Sequence, residues 1–587
     1  MERRLFLQQM GSTACVLPLW TNPLNSNFLP ALSSNTEELL KKFVKNYDEY
    51  IARNLKMQET DPSHLWFGGV INNYGIHNPQ QTAGFFQTLS CGYVSEGSKY
   101  YHDEALIQPL IHASEYMLKA QHPDGTIDLH STNFHSTPDT AFTVEPVSLG
   151  YTLLERDASP ATQPVRANLK TYLQRAGKAL SVGGIHTPNH RWVVCMALAR
   201  IHHLFPDPAY VNRVDEWLKE KIDIDEDGQY TEQSTLIYSP IVNKSLITVV
   251  RLMDKPELYE PVRKNLEMTL YYLHANGEVV SEGSGRQDKY QRGTVERYYY
   301  SYRYMALHEQ NGQFAAMAAY LEENETDAIS NALAYFLEAS HSEKSGSEES
   351  GPKDIDLKKP LPQASALPTD YLKVFTGSDL VRIRRGERDA TILAKNPIFF
   401  TFFKGKAALE GIRLASAFFG KGQFEGESLE REGDEFVLRQ WLEGPYYQPF
   451  AEDQLPTSDG DWEKLPRDER PQSEVQKFLS EIRIRETSTG FLLDISITGT
   501  DRVPVALEMA FRKGSKLSGV KKVEDTEEAY LLEEGYGTLK EGDSEIRFGP
   551  GKAEHSWTQL RGALPKLEAQ CVYITGITPF EHQIEIS

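Results

Sequence analysis

Basic charge, cysteine and long apolar runs are all scarce in this chain. Of its 587 residues, 62 are Lys or Arg and 83 are Asp or Glu, so the net charge is −21. A nucleic-acid binder needs a basic footprint, and that class is excluded. An anionic substrate is still admitted, because a small basic pocket can sit within an acidic surface. The 4 cysteines, Cys15, Cys91, Cys195 and Cys571, show neither metal-ligand spacing nor a disulfide framework. Cys195 lies in an apolar helical run and reads as a core thiol. No His-x-x-x-His or paired-Cys zinc site is present. No glycine-rich loop stands between a strand and a helix, where a nucleotide would need it. Neither a metal nor a cofactor is therefore expected. Beyond the N-terminus no stretch is long enough to span a membrane.

What is present divides by period. The length calls for two or three domains, and 40% hydrophobic with 25% charged residues is ordinary for a globular protein. From 36 to 340 the apolar positions recur at helical spacing: Leu106, Leu110, Ala113 and Met117 share one face, as do Val194, Ala197, Leu198 and Ile201. Three similar turns punctuate this region: Asp124-Gly125, Asp227-Gly228 and Asn276-Gly277. Each supplies the positive-φ corner of a tight turn. Helical hairpins repeated in this way predict an α/α toroid, whole or incomplete, whose loops at one end line a cleft. Residues 341–368 are polar and Pro-containing and read as a linker. From 369 to 587 the period becomes two. Phe491, Leu493, Ile495 and Ile497 alternate with Leu492, Asp494, Ser496 and Thr498, and Val503, Val505, Leu507, Met509 and Phe511 alternate likewise. This predicts a C-terminal antiparallel β-sandwich. The expected fold is thus an α+β multidomain chain, toroid first and sandwich second.

Residues 1–35 read as an export signal and extension. Arg3-Arg4-Leu5-Phe6-Leu7 resembles a twin-arginine signal, and Cys15 stands in a weak lipoprotein box. Export to the periplasm or the cell surface is the expectation.

Two clusters in the helical region carry chemistry. Thr187-Pro188-Asn189-His190-Arg191 opens a helix, and Asp227-Gly228-Gln229-Tyr230-Thr231-Glu232-Gln233-Ser234 leads to Tyr238. Together they offer an amide, an imidazole, a guanidinium, a carboxylate and a phenol. Asn189 and Arg191 suit a sugar carboxylate. His190 suits a base or an orienting donor, Glu232 an acid or base, and Tyr238 a proton donor. Asp223, Asp225 and Asp227 begin like a calcium loop, but Ser234 stands where that loop needs Glu. The segment 281–292 adds Arg286, Asp288 and Arg292. The loop 133–140 adds His135 and Asp139, the latter equally suited to capping a helix. The tyrosines, 29 in number, suit stacking on sugar rings or packing between helices.

The Asn-His pair at a helix start, followed by Asp-Gly-x-x-x-Glu-Gln-Ser and Tyr238, resembles the heparinase II/III-like polysaccharide lyases. The resemblance implies a toroid-plus-sandwich architecture. It further implies that Asn189 and His190 neutralise a uronate carboxylate while Tyr238 serves as acid or base. The chain departs from that family in two places. It has Ser234-Thr235-Leu236-Ile237-Tyr238-Ser239 where the family has Pro-x-x-Tyr-His, and its sandwich holds only His555 and His582, far apart and without evident partners. The same plan is similar to family 154 glycoside hydrolases, which are glucuronidases. Hydrolysis requires two carboxylates flanking the bond, and Glu232 with Asp139 is the expected pair. In that case Asn189, His190, Arg191 and Arg286 hold the sugar carboxylate. The leading expectation is therefore an exo-acting, glucuronidase-type hydrolase on a uronic-acid glycan. Elimination by a lyase is the alternative, and a non-catalytic glycan binder the third. Oligomeric state is left open.

Overall fold

The structure is a computed structural model that describes residues 36–339, 355–455 and 459–587. The export-signal reading of residues 1–35, with Cys15, lies outside them, as does residues 341–354 of the expected linker. The described chain divides into a helical unit that ends at Pro368 and a sheet unit of Thr369–Ser587, to which His274–Asn276 also belong.

The helical unit contains α1 (Thr36–Asn54), α2 (Pro79–Val94), α3 (Ile107–Ala120), α4 (Thr137–Asp157), α5 (Gln163–Val182), α6 (Pro188–Leu204), α7 (Pro208–Lys219), α8 (Tyr238–Met253), α9 (Tyr259–Thr269), α10 (Tyr299–Glu309), α11 (Gly312–Asn324), α12 (Thr326–Ile329) and α13 (Leu333–Ala339). They alternate between an inner and an outer layer. The inner helices α2, α4, α6 and α8 pack each on the next, and α3, α5, α7 and α9 lie outside them. Burial follows the layers. In α6 every residue from Asn189 to Ile201 is buried, whereas α7 buries only Tyr210 and Val214. An outer helix needs one apolar stripe, whereas an inner helix is enclosed on all sides. This is the α/α toroid expected from the sequence.

The turn glycines show why the repeat works. Gly125 and Gly228 have φ of +90° and +95°. A Cβ on either would lie 2.3 Å from the Arg175 carbonyl of α5 or 2.5 Å from the Lys264 carbonyl of α9. Each turn therefore seats on the backbone of the following outer helix, where only glycine fits. Gly68, at φ +84°, meets the His112 carbonyl of α3 in the same way; its Gly-Gly sequence hides this repeat.

The described part of the expected linker, from Ile355, is held to the helical unit. Buried Arg303 donates to the Leu357 and Lys359 carbonyls at 2.9 and 3.0 Å. Composition alone could not show this, because the anchor is a distant arginine.

The sheet unit is a sandwich of a nine-stranded and an eight-stranded sheet. Among the described residues the strands pair antiparallel, except that Ala529–Leu531 runs parallel to Gln570–Ile577, which Ala553 also meets in a parallel bridge at Thr575. Between the sheets lie Phe491, Leu493, Ile495, Ile497, Val505, Leu507 and Met509. The strand Phe491–Gly499 alternates as expected, but Pro504–Phe511 is covered on both faces. Its Ala506 and Ala510 join a second cluster with Leu560 and Tyr573, and its buried Glu508 bonds Arg413 and Tyr573. His555 and His582 are not without partners: each ring donates to backbone carbonyls, His555 to Gly576 at 3.0 Å and His582 to Pro550 at 2.9 Å. No helix among the described residues is long and apolar enough to cross a membrane.

Candidate active site

The two clusters of the helical unit meet. Extended Thr187 and then Pro188 begin α6, proline being suited to a first turn because its missing N–H would have no helical partner. Asn189 and His190 follow, 1% and 8% exposed. After α7, Asp225 accepts the backbone N–H groups of Asp227 and Gln229 at 3.0 and 2.8 Å, and Gly228 turns the chain. Glu232 emerges from that turn, buried, and its Oε2 accepts the Asn189 amide at 2.7 Å. The loop 281–292 reaches the same place. The Gly285 N–H donates to the Glu232 carbonyl at 3.0 Å, and Arg286 Nε lies 3.5 Å from Glu232 Oε1. Tyr238, half-buried, opens α8. The Arg286 guanidinium carbon stands 5.2 Å from its ring centre, and Gln287 Nε2 donates to its hydroxyl at 2.5 Å.

Four buried polar atoms of this cluster make no hydrogen bond among the described residues: Asn189 Oδ1, His190 Nδ1, Glu232 Oε1 and Arg286 Nε. Buried polar atoms are nearly always paired; here Glu232 Oε1 and Arg286 Nε only face each other across 3.5 Å, and these unmet donors and acceptors are what a polar ligand would complete. The His190 ring sits edge-on to Phe142 and His186, with centres 6.0 and 4.8 Å away. Burial, reinforced by His186 and the Arg286 charge, lowers its pKa to about 3, so the imidazole is neutral at physiological pH. Burial pushes the Glu232 carboxyl up, against the Asn189 hydrogen bond and the Arg286 charge, and Asp223 and Asp288 add to the rise.

The other candidates are placed differently. Asp139 accepts from Gln80, Asn133 and Ser136 at 3.0, 2.8 and 2.6 Å, and Ser136 in turn caps α4. Asp288 is wholly buried, its oxygens taken by Ser234 and Ser284. Arg191 is paired to Glu220 and Asp223 at 3.1 and 2.8 Å and stacked on Trp192. His135 is exposed, stacked on His122 and bonded to Asp124. Arg292 is exposed at the loop surface. Asp223, with Arg191 and Trp192, and Asp225, with the turn, are spent on local structure. Among the described residues no group of three or more His, Cys, Asp or Glu could hold a metal ion. Gln287 and Phe142 join the site without having been foreseen. A glutamine inside a polar loop and a phenylalanine inside an apolar helix carry no local mark of such a place.

No family model matches the sequence, and no characterised protein matches it by sequence. Solved structures do match in fold. Paenibacillus xanthan lyase aligns with a TM-score of 0.52 at 9% identity over 88% of this chain and 52% of that one, so the chain spans about half of its length. Heparinase III aligns with a TM-score of 0.50 at 13% identity over 96% of this chain and 84% of that one. Streptomyces coelicolor A3 chondroitin AC lyase, solved with chondroitin sulphate, aligns with a TM-score of 0.50 at 12% identity over 95% and 80%. The chain therefore has the toroid-plus-sandwich architecture of these polysaccharide lyases.

Proposed function

We propose that the protein is a polysaccharide lyase that cleaves a uronate-containing glycan by β-elimination. Fold likeness alone does not fix function, and one observation of the site carries the proposal. The phenol of Tyr238, held by Arg286 and Gln287, adjoins a buried polar cluster in which Arg286 Nε and the neutral His190 ring can donate to a sugar carboxylate, while Asn189 Oδ1 and Glu232 Oε1 can accept from sugar hydroxyls. The C5 hydrogen of a uronate is α to its carboxylate, and it becomes acidic once the carboxylate charge is met by donors and a cation. Arg286 supplies the cation and the neutral His190 ring an N–H donor, while the Asn189 amide hydrogens stay on Glu232 and Thr187. Tyr238, acting as the phenolate, takes the C5 proton; the C4–C5 double bond forms as the C4–O bond breaks, and the phenol so formed passes that proton to the leaving oxygen and returns to the phenolate. Glu232 orients the Asn189 amide and faces Arg286. That the neighbours in fold are lyases supports elimination over the hydrolysis first expected.

Hydrolysis keeps one observation in its favour. Glu232 is a buried carboxyl pushed up by burial, as a general acid needs to be. Its expected partner Asp139, however, is engaged on both oxygens. The test is incubation with chondroitin sulphate, heparan sulfate and xanthan while ultraviolet absorbance and released sugar are followed together. Absorbance from an unsaturated uronate is the expected result. Free uronic acid without absorbance would overturn elimination in favour of hydrolysis, and binding without either product would leave only a glycan-binding role.

A further inference from the structure

We propose that Gln287 is a positioning residue for the same reaction: its amide stabilises the negative charge that gathers on the Tyr238 oxygen as the phenol proton is exchanged with substrate. This rests on the elimination reading above.

The Gln287 Nε2–H points at the Tyr238 hydroxyl oxygen from 2.5 Å. Among the described residues the phenol's own hydrogen meets no acceptor, so the protein offers this oxygen a donor and leaves its proton for substrate. A donor aimed where charge develops acts like one arm of an oxyanion hole. Arg286, over the ring of the same phenol, adds positive charge from the side.

The loop that carries the amide is held by a brace that needs no substrate. Asp288, wholly buried, accepts Ser234 Oγ at 2.8 Å on one oxygen and Ser284 Oγ at 2.5 Å on the other. Ser234 Oγ accepts the Tyr238 backbone N–H at 3.1 Å, and Ser284 Oγ accepts the Arg286 N–H at 3.1 Å. Gly285 bonds the Glu232 carbonyl, and Gln291 Nε2 donates to the Gln287 carbonyl at 2.7 Å. The loop that bears Gln287 and the turn that bears Tyr238 are thus tied to one carboxylate through two serines. A preorganised donor of this kind pays no reorganisation during reaction. Asp288 acts here as the keystone of the brace rather than as a contact to sugar.

Gln287→Met removes the donor and keeps the bulk. The expected result is a fall in kcat of about 10²-fold with KM little changed. Gln287→Glu, which presents an acceptor to the phenol instead, lowers kcat further. A readout independent of substrate is the hydroxyl-bearing ring-carbon resonance of Tyr238 at neutral pH in protein labelled at tyrosine, assigned by its loss in Tyr238→Phe. Its chemical shift should move in Gln287→Met and in Gln287→Glu, because the amide N–H on the oxygen is lost in both. An unmoved resonance in both variants overturns the role of Gln287. Retained turnover in Tyr238→Phe overturns the elimination reading instead, and the resonance still judges Gln287 by itself.

Discussion

Glu232 and Glu338 are buried carboxylates of the same helical unit, 8% and 9% exposed, yet their surroundings drive them in opposite directions. Glu338, on α13, gives one oxygen to Arg200 at 3.0 Å and the other to Arg251 at 3.3 Å. Burial works against its charge, but the two guanidiniums win and hold its pKa at about 2. Glu145 is a second case, bonded by Lys244 at 2.7 Å and by the Tyr335 hydroxyl, and it too is lowered despite burial. Glu232 has one amide donor and a single guanidinium at 3.5 Å, and burial wins. Burial therefore does not mark a functional carboxylate. At Glu232 the informative feature is the oxygen left over, Oε1, which lies in the cluster with Arg286 and is available to a ligand.

The largest effects should separate the two regions cleanly. Tyr238→Phe is expected to lower turnover by about 10²- to 10⁴-fold while chemical unfolding stays as in the wild type. A matching loss of stability would break the comparison by making the site structural. Glu338→Gln should do the reverse. It strips charge from a pair of buried arginines and is expected to cost about 3–5 kcal/mol of stability, read by denaturant unfolding.

Acid should then distinguish the carboxylates by sign. Glu338 has a folded pKa near 2, below the unfolded value of roughly 4.3. Its contribution is whole above the unfolded value and is lost as pH falls toward the folded one. Unfolding free energy measured between pH 5 and pH 2 should fall less steeply in Glu338→Gln than in the wild type. For Glu232 the folded pKa is raised, so its contribution is present below the unfolded value and is lost as pH rises through the folded one. Glu232→Gln at neutral pH should accordingly stay within about 1 kcal/mol of wild-type stability, on the stabilising side, and a clear destabilisation would show that its charge serves the fold. The smallest effect is assigned to Asp139→Asn. A loosened cap at α4 should cost about 1 kcal/mol and leave turnover within a few fold, and abolished turnover would restore Asp139 to the chemistry.

Much of the fold was legible because its signals are local. The change of period near residue 369, the alternation of Phe491 to Ile497 and the glycine turns each depend on neighbours a few places away. Gly68 escaped notice because it stands in Phe67-Gly68-Gly69, without the preceding Asp that marks the turns of Gly125 and Gly228. The strand Pro504–Phe511 looked half-exposed because nothing within it announces the layer that covers its second face.

By itself the sequence determined which residue types stand at the head of α6 and in the turn before α8, since caps, prolines and glycines act over one turn of chain. Only the tertiary structure decided what those residues do. It joined Asn189 to Glu232, gave Arg191 to Glu220 and Asp223, closed Asp288 between two serines, and brought Gln287 to Tyr238. The physical reason is that a side chain's charge and reactivity are set by the groups within a few ångströms of it. In a toroid those groups come from different hairpins, so residue type is written locally while partnership is not.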